Sequence, residues 1–175
     1  MHIALHQTVI EYLIKQHSEE LYAQSLGDAG INRAEFEAPD YHNDAELDNV
    51  IAAAGKRLGK TRDEFLTDVG VFGAPGLLEA FKDFLDPGWN VIDLVENVES
   101  RMHKHVREEM GAFPPALVSE RISTDELKIN VRSHRKMAGL ARGFIQGFAK
   151  HYGDNVSIDI DANDAGYSFQ IKKTA

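Results

Sequence analysis

The chain contains no cysteine, which excludes disulfides and thiolate metal sites and leaves histidine, carboxylates and oxygen donors for any metal chemistry. It also has no apolar run near the roughly 20 residues needed to span a bilayer. Met1 to Leu13 carries neither a basic leader nor a long apolar core, so a cytoplasmic protein without a membrane partner is expected. Basic residues are in deficit: 19 Lys and Arg face 28 Asp and Glu, a net charge of -9. Binding along a phosphate backbone needs clustered Lys and Arg, so no nucleic-acid partner is expected. Repeats and low-complexity segments are missing too. No nucleophile, metal triad or carboxylate pair stands at informative spacing, which argues against an enzyme.

What is present is a chain of 175 residues, 43% hydrophobic, enough for one domain with a sizeable core. Apolar spacing predicts helices over 3–16, 19–26 and 44–58, with a polar connecting loop over 32–43 that contains Pro39. Thr61 and Glu64 form a capping box that opens a further helix. Gly70 to Gly76, with three glycines and Pro75, predicts a break or tight turn before another helix at 77–85. That loop lacks the lysine and Ser/Thr of a phosphate-binding loop and reads as structural.

The most informative stretch is Asn90 to Met110. Val91, Ile92, Leu94, Val95, Val98, Met102, Val106 and Met110 give a helix with one buried stripe, capped by Asn90. His103 and His105 lie roughly 200° apart around a regular helix, so they cannot chelate one ion together. Each can serve as a single axial ligand or be an ordinary hydrogen-bonded histidine.

Beyond Pro114-Pro115 the period changes. Leu127, Ile129 and Val131 alternate with polar residues, a strand with one buried face. Continued alternation turns Ser133 and Arg135 inward and His134 outward, and an inward guanidinium needs an anion. The other reading ends the strand at Ser133 and gives Arg135 to solvent. Met137 to Tyr152 forms a helix with glycines at 139, 143 and 147; each costs about 1 kcal/mol relative to alanine, which implies a close backbone neighbour. Short strands at 156–160 and 167–171 follow, joined by a turn over 162–166. Helices first and strands late define an α+β fold: an N-terminal helical subdomain, then a small antiparallel β-sheet with packed helices.

His103-Lys104-His105-Val106, Pro114-Pro115 and Ser133-His134-Arg135-Lys136-Met137 resemble the haem nitric oxide/oxygen binding domains, called H-NOX, the sensory domain also found in soluble guanylate cyclase. The likeness covers nearly the whole chain from Met1-His2-Ile3 and implies one domain over 1–175: a helical part over about 1–88, and a haem-helix and sheet part from about 89. The resemblance implies haem b, iron protoporphyrin IX, with His103 as ligand to the metal and His105 in a supporting or surface role. Ser133 and Arg135 match the end of a Tyr-x-Ser-x-Arg motif that holds the propionates. Leu5, Val9, Leu77, Leu140 and Phe144 would line the face opposite His103, and Pro115 would press on the macrocycle from the proximal side.

Three departures stand out. Val131 occupies the position of the motif tyrosine, so haem affinity should fall. The interval from His103 to Pro115 is one residue shorter than in the family; an ungapped alignment brings Met102 to the ligand position, and assigning His103 places a deletion near Gly111. The Gly73 to Gly76 break is the third. Leu140 stands where oxygen-binding relatives carry a tyrosine donor, and Leu5, Val9 and Leu77 offer none. The implied function is a sensor that binds nitric oxide, and with it carbon monoxide, while discriminating against oxygen. It would signal to a separate protein such as a histidine kinase or a cyclic-dinucleotide enzyme. The alternative is a haem-free module of the same fold that binds another small ligand or a signalling protein.

Overall fold

The computed structural model describes residues 3–38, 43–133, 135, 137–163 and 166–174; His134, Lys136, Pro39 and the chain start at Met1 and His2 lie outside that set. Helices dominate the first half: α1 (Ile3–Tyr12), α2 (Glu19–Ala29), α3 (Arg33–Phe36), α4 (Asp44–Leu58) and α5 (Arg62–Ala80). A π-helical turn, Leu13–His17, extends α1, and α3 occupies part of the stretch expected as loop. The sequence signals for α4 and α5 hold. Asn43 caps α4 by accepting from the amides of Ala45 (3.1 Å) and Glu46 (3.2 Å), and the Thr61–Glu64 capping box is formed in both directions.

The expected break at Gly70 to Gly76 is not there, because α5 runs through it with Pro75 inside the helix. Proline removes one backbone donor, and glycine weakens a helix. Tertiary contact outweighs both. Helix α8 (Ala138–Tyr152) lies against α5 with backbone on backbone. A Cβ on Gly143 would overlap the Thr67 carbonyl and come within 2.9 Å of the Gly70 Cα, and one on Gly139 would sit 2.8 Å from the Asp63 Cα. A Cβ on Gly147 would collide with the Ala74 methyl. Gly70 of α5 and the glycines spaced by four in α8 form the two sides of this seam.

The second half holds α6 (Val91–Asn97), a π-helical stretch (Val98–His103), α7 (Lys104–Glu109), β1 (Ala116–Ser123), β2 (Glu126–Arg132), α8, β3 (Asn155–Asn163) and β4 (Gly166–Thr174). The sheet is antiparallel in the order β1-β2-β4-β3. β1 goes unseen in the sequence because its residues are mostly exposed, Val118 and Ile122 included, so no alternation marks it. β2 shows the expected alternation, with Leu127, Ile129 and Val131 buried opposite Ile171, Phe169 and Tyr167 of β4.

Two buried clusters result. One joins α1, α2, α3, α4 and the first half of α5 to Met137 and Leu140; fully buried Tyr22, Phe36 and Phe65 anchor it, each worth about 2–3 kcal/mol relative to exposure. The other packs α6 and Met102 between the sheet and Ile145, Phe148 and Ala149 of α8. Phe144 contacts both. Among the described residues no helix is long and apolar enough to cross a membrane.

Candidate functional site

Asn90 starts the helix that presents His103. It accepts from the Ile92 (2.8 Å) and Asp93 (3.2 Å) amides, and Asp93 returns a bond to the Asn90 amide (3.0 Å). The Val91 amide donates to Asp154 at 3.0 Å, and Lys173 pairs with the same carboxylate at 2.8 Å, so the helix start is tied to the α8–β3 connection.

The segment is not the regular helix expected over Asn90 to Met110. Six residues, Val98–His103, wind as a π-helix between α6 and α7. A π-turn accommodates one residue more than an α-turn, and such bulges occur often at functional sites. Met102, inside this stretch, lies in the core.

The His103 side chain is 18% exposed. Its Nδ1 lies 3.0 Å from Glu99 Oε2. The same carboxylate accepts from the Leu117 amide of β1 at 3.1 Å and from Arg107 of α7. Burial pushes the Glu99 carboxyl up, but the bonds from Arg107, His103 and the Leu117 amide outweigh it and hold the group below the usual carboxylate range. Burial pushes the imidazole down; Glu99 and the Pro115 backbone oppose the shift without cancelling it. The ring is therefore neutral at pH 7, the form that can ligate a metal.

This shift has a consequence for the haem-free chain. The unfolded ring, with its pKa near 6.5, binds a proton before the folded one does, so its stabilising contribution is complete above that value and is lost as pH falls below it. Between pH 7 and 5, His103→Gln should show a flatter stability profile than the parent in urea unfolding.

Pro115 itself is exposed, and its backbone meets His103. His105 packs its ring against Phe84 (4.8 Å between centroids) and Phe81 (6.4 Å). Leu5, Val9, Leu140 and Phe144 gather in the first cluster, while Leu77 joins Phe144 in the second. Gly73 brings α5 close to α1 and α8 there: a Cβ on it would lie 2.8 Å from Thr8 Cγ2 and 3.3 Å from the Phe144 ring.

At the end of β2 the continued strand and the solvent-facing Arg135 need correction, while the expected anion is present. The strand stops at Arg132, and Arg135 is neither turned to solvent nor without an anion. Its Nε donates to Asp44 at 3.0 Å, and its amide donates to Ser133 Oγ at 3.1 Å. The carboxylate comes from the start of α4, 91 residues away in sequence, which local alternation cannot reveal. The two terminal guanidinium nitrogens have no hydrogen-bond partner among the described residues. They remain able to take a second carboxylate in the fork geometry arginine favours.

The residue that sequence reasoning missed here is Tyr167, directly across from Val131 in the β2–β4 register. It is 7% exposed, burial pushes its phenol up to about 12, and its hydroxyl has no hydrogen-bond partner among the described residues. Only strand pairing reveals it. Glu99 was also missed, although four-residue spacing from His103 was a usable signal.

The residue types suit a haem: one imidazole backed by a carboxylate, an arginine with terminal nitrogens to spare, and apolar side chains from α1, α5 and α8. Among the described residues no group of three or more His, Cys, Asp or Glu is placed to hold a metal ion. The fold, with partly buried His103 held beside Glu99, is that of a sensory domain of the H-NOX type. The family model for Haem-NO-binding matches residues 4–160, and the chain belongs to that family, whose members are haem-based gas sensors.

Solved structures agree on the fold. An Fe(II) unliganded H-NOX variant from K. algicida superposes with a TM-score of 0.88 at 15% identity, covering 100% of this chain and 97% of that one. A variant H-NOX from T. tengcongensis gives 0.82 at 20% identity, covering 97% and 96%. An oxygen-binding H-NOX domain related to soluble guanylate cyclases, in its oxygen complex, gives 0.74 at 20% identity, covering 97% and 93%. No curated protein matches the sequence.

Proposed function

We propose that the chain is a single cytoplasmic sensory domain that binds haem b through His103, responds to nitric oxide and signals to a separate protein. The observation that carries this reading is the partly buried imidazole of His103, presented beside β1 with its Nδ1 3.0 Å from the Glu99 carboxylate. Arg135 and Ser133 would hold the propionates, with the Tyr167 phenol placed beside the position that lacks the motif tyrosine. Leu5, Val9, Leu77, Leu140 and Phe144 would line the opposite face, and Pro115 the proximal side. Ferrous haem supplies the gas-binding centre. The chain supplies the connection, because His103 closes a π-helical stretch that continues into α7.

The apolar character of Leu140, Val9 and Leu77 favours nitric oxide, and carbon monoxide with it, over oxygen, which needs a hydrogen-bond donor to be retained. The reduced, haem-loaded protein is therefore expected to form a stable complex with nitric oxide and none in air, whereas Leu140→Tyr gains an oxygen complex. Absorption spectra of both proteins under argon, nitric oxide and air check this. An oxygen-stable parent overturns the selectivity.

A haem-free binding module is the second reading, and the pairing of Arg135 with Asp44 favours it, since part of the guanidinium is already neutralised. Output would pass to a separate protein such as a histidine kinase or a cyclic-dinucleotide enzyme.

A further inference from the structure

We propose that Glu99 is the positioning residue for His103: its carboxylate holds the ring as the Nδ1–H tautomer, keeps the Nε2 lone pair available, and ties the ring to β1 and α7. The inference rests on the proposed ligand role of His103 for its purpose, but not for its geometry.

Glu99 Oε2 lies 3.0 Å from His103 Nδ1 and accepts the Leu117 amide at 3.1 Å, while Oε1 accepts from Arg107. A carboxylate receiving an amide and a guanidinium is ionised and has no proton to give. The hydrogen between Glu99 and His103 must then sit on Nδ1. A neutral imidazole carries one proton, so Nε2 is left with its lone pair. The Pro115 backbone also meets the ring, but it is a neutral acceptor and so the weaker competitor for that proton.

Metal-bound histidines commonly donate their second ring nitrogen to a carboxylate, which sets ring orientation and raises ligand basicity. Glu99 adds a mechanical link. Because one carboxylate joins the π-helical stretch, α7 and the start of β1, a shift of the ring pulls on three elements at once.

Nitrogen NMR of the haem-free chain reads the tautomer directly. The parent should show His103 protonated at Nδ1, Glu99→Gln should show a mixture with the Nε2–H form, and Glu99→Asp should restore much of the parent signal. An Nε2–H parent, or a Glu99→Gln variant identical to it, overturns the inference.

After loading with haem, Glu99→Gln should lower the iron–histidine stretching frequency in resonance Raman spectra, raise the reduction potential and speed haem loss by about 10–100-fold, the usual cost of removing such a partner. Unchanged values in a loaded Glu99→Gln protein also overturn the positioning role. A parent that shows the Nδ1–H tautomer but takes up no haem sinks the haem reading and leaves the assignment of Glu99 to the ring standing.

Discussion

Gly143→Ala is expected to destabilise the protein by about 3 kcal/mol, the upper part of the range for overpacking, because the atoms in its way are backbone and cannot rotate aside. The new methyl would overlap the Thr67 carbonyl and press on the Gly70 Cα, so the two long helices must separate along their length. For a chain of this size that loss corresponds to a fall in Tm of about 6–12 °C. Gly76→Ala is the control. It lies in the same α5, is exposed and has open space around its would-be Cβ, so it should gain about 0.5–1 kcal/mol from helix propensity. Thermal and urea unfolding of the haem-free variants give both values. Equal effects at the two positions would refute the backbone seam.

The second large effect is expected at the imidazole. His103→Ala should abolish haem uptake as read by Soret absorbance, with a loss exceeding the about 10–100-fold typical of removing an outer-shell partner, since the ligand itself is gone. Its circular dichroism should stay that of the parent, because the ring is not part of either apolar cluster. Added imidazole, small enough to enter the vacated space, should restore part of the absorbance. Parent-like haem binding by His103→Ala would move the ligand elsewhere, with Met102 the first alternative.

The α+β order of elements was legible because the strongest signals were local. The α4 boundaries follow from Asn43 and the apolar spacing of Leu47, Val50, Ile51 and Ala54, and the α5 start from Thr61 and Glu64. What the sequence hid was non-local. Gly70 to Gly76 reads as a break until α8 is laid against it, and β1 carries no alternation because nearly all of its residues are exposed. At the site, the resemblance brought out His103, Ser133 and Arg135, and the anion beside Arg135 was anticipated by residue pattern alone. Its identity as Asp44 needed the fold. The π-helical stretch was missed because the apolar repeat of α6 continues through it to Met102 with no mark of the change in winding.

The direct backbone contact between α5 and α8 also decides where the domain can give. With backbone directly against backbone at Gly70, Gly139 and Gly143, the pair behaves as a rigid spar carrying Leu77, Leu140 and Phe144 together. Pressure on one of these residues cannot be relieved by tilting a single helix. Compliance then belongs to the loosely wound stretch under His103 and to α1, so that flank is where a small molecule entering between them would do its work.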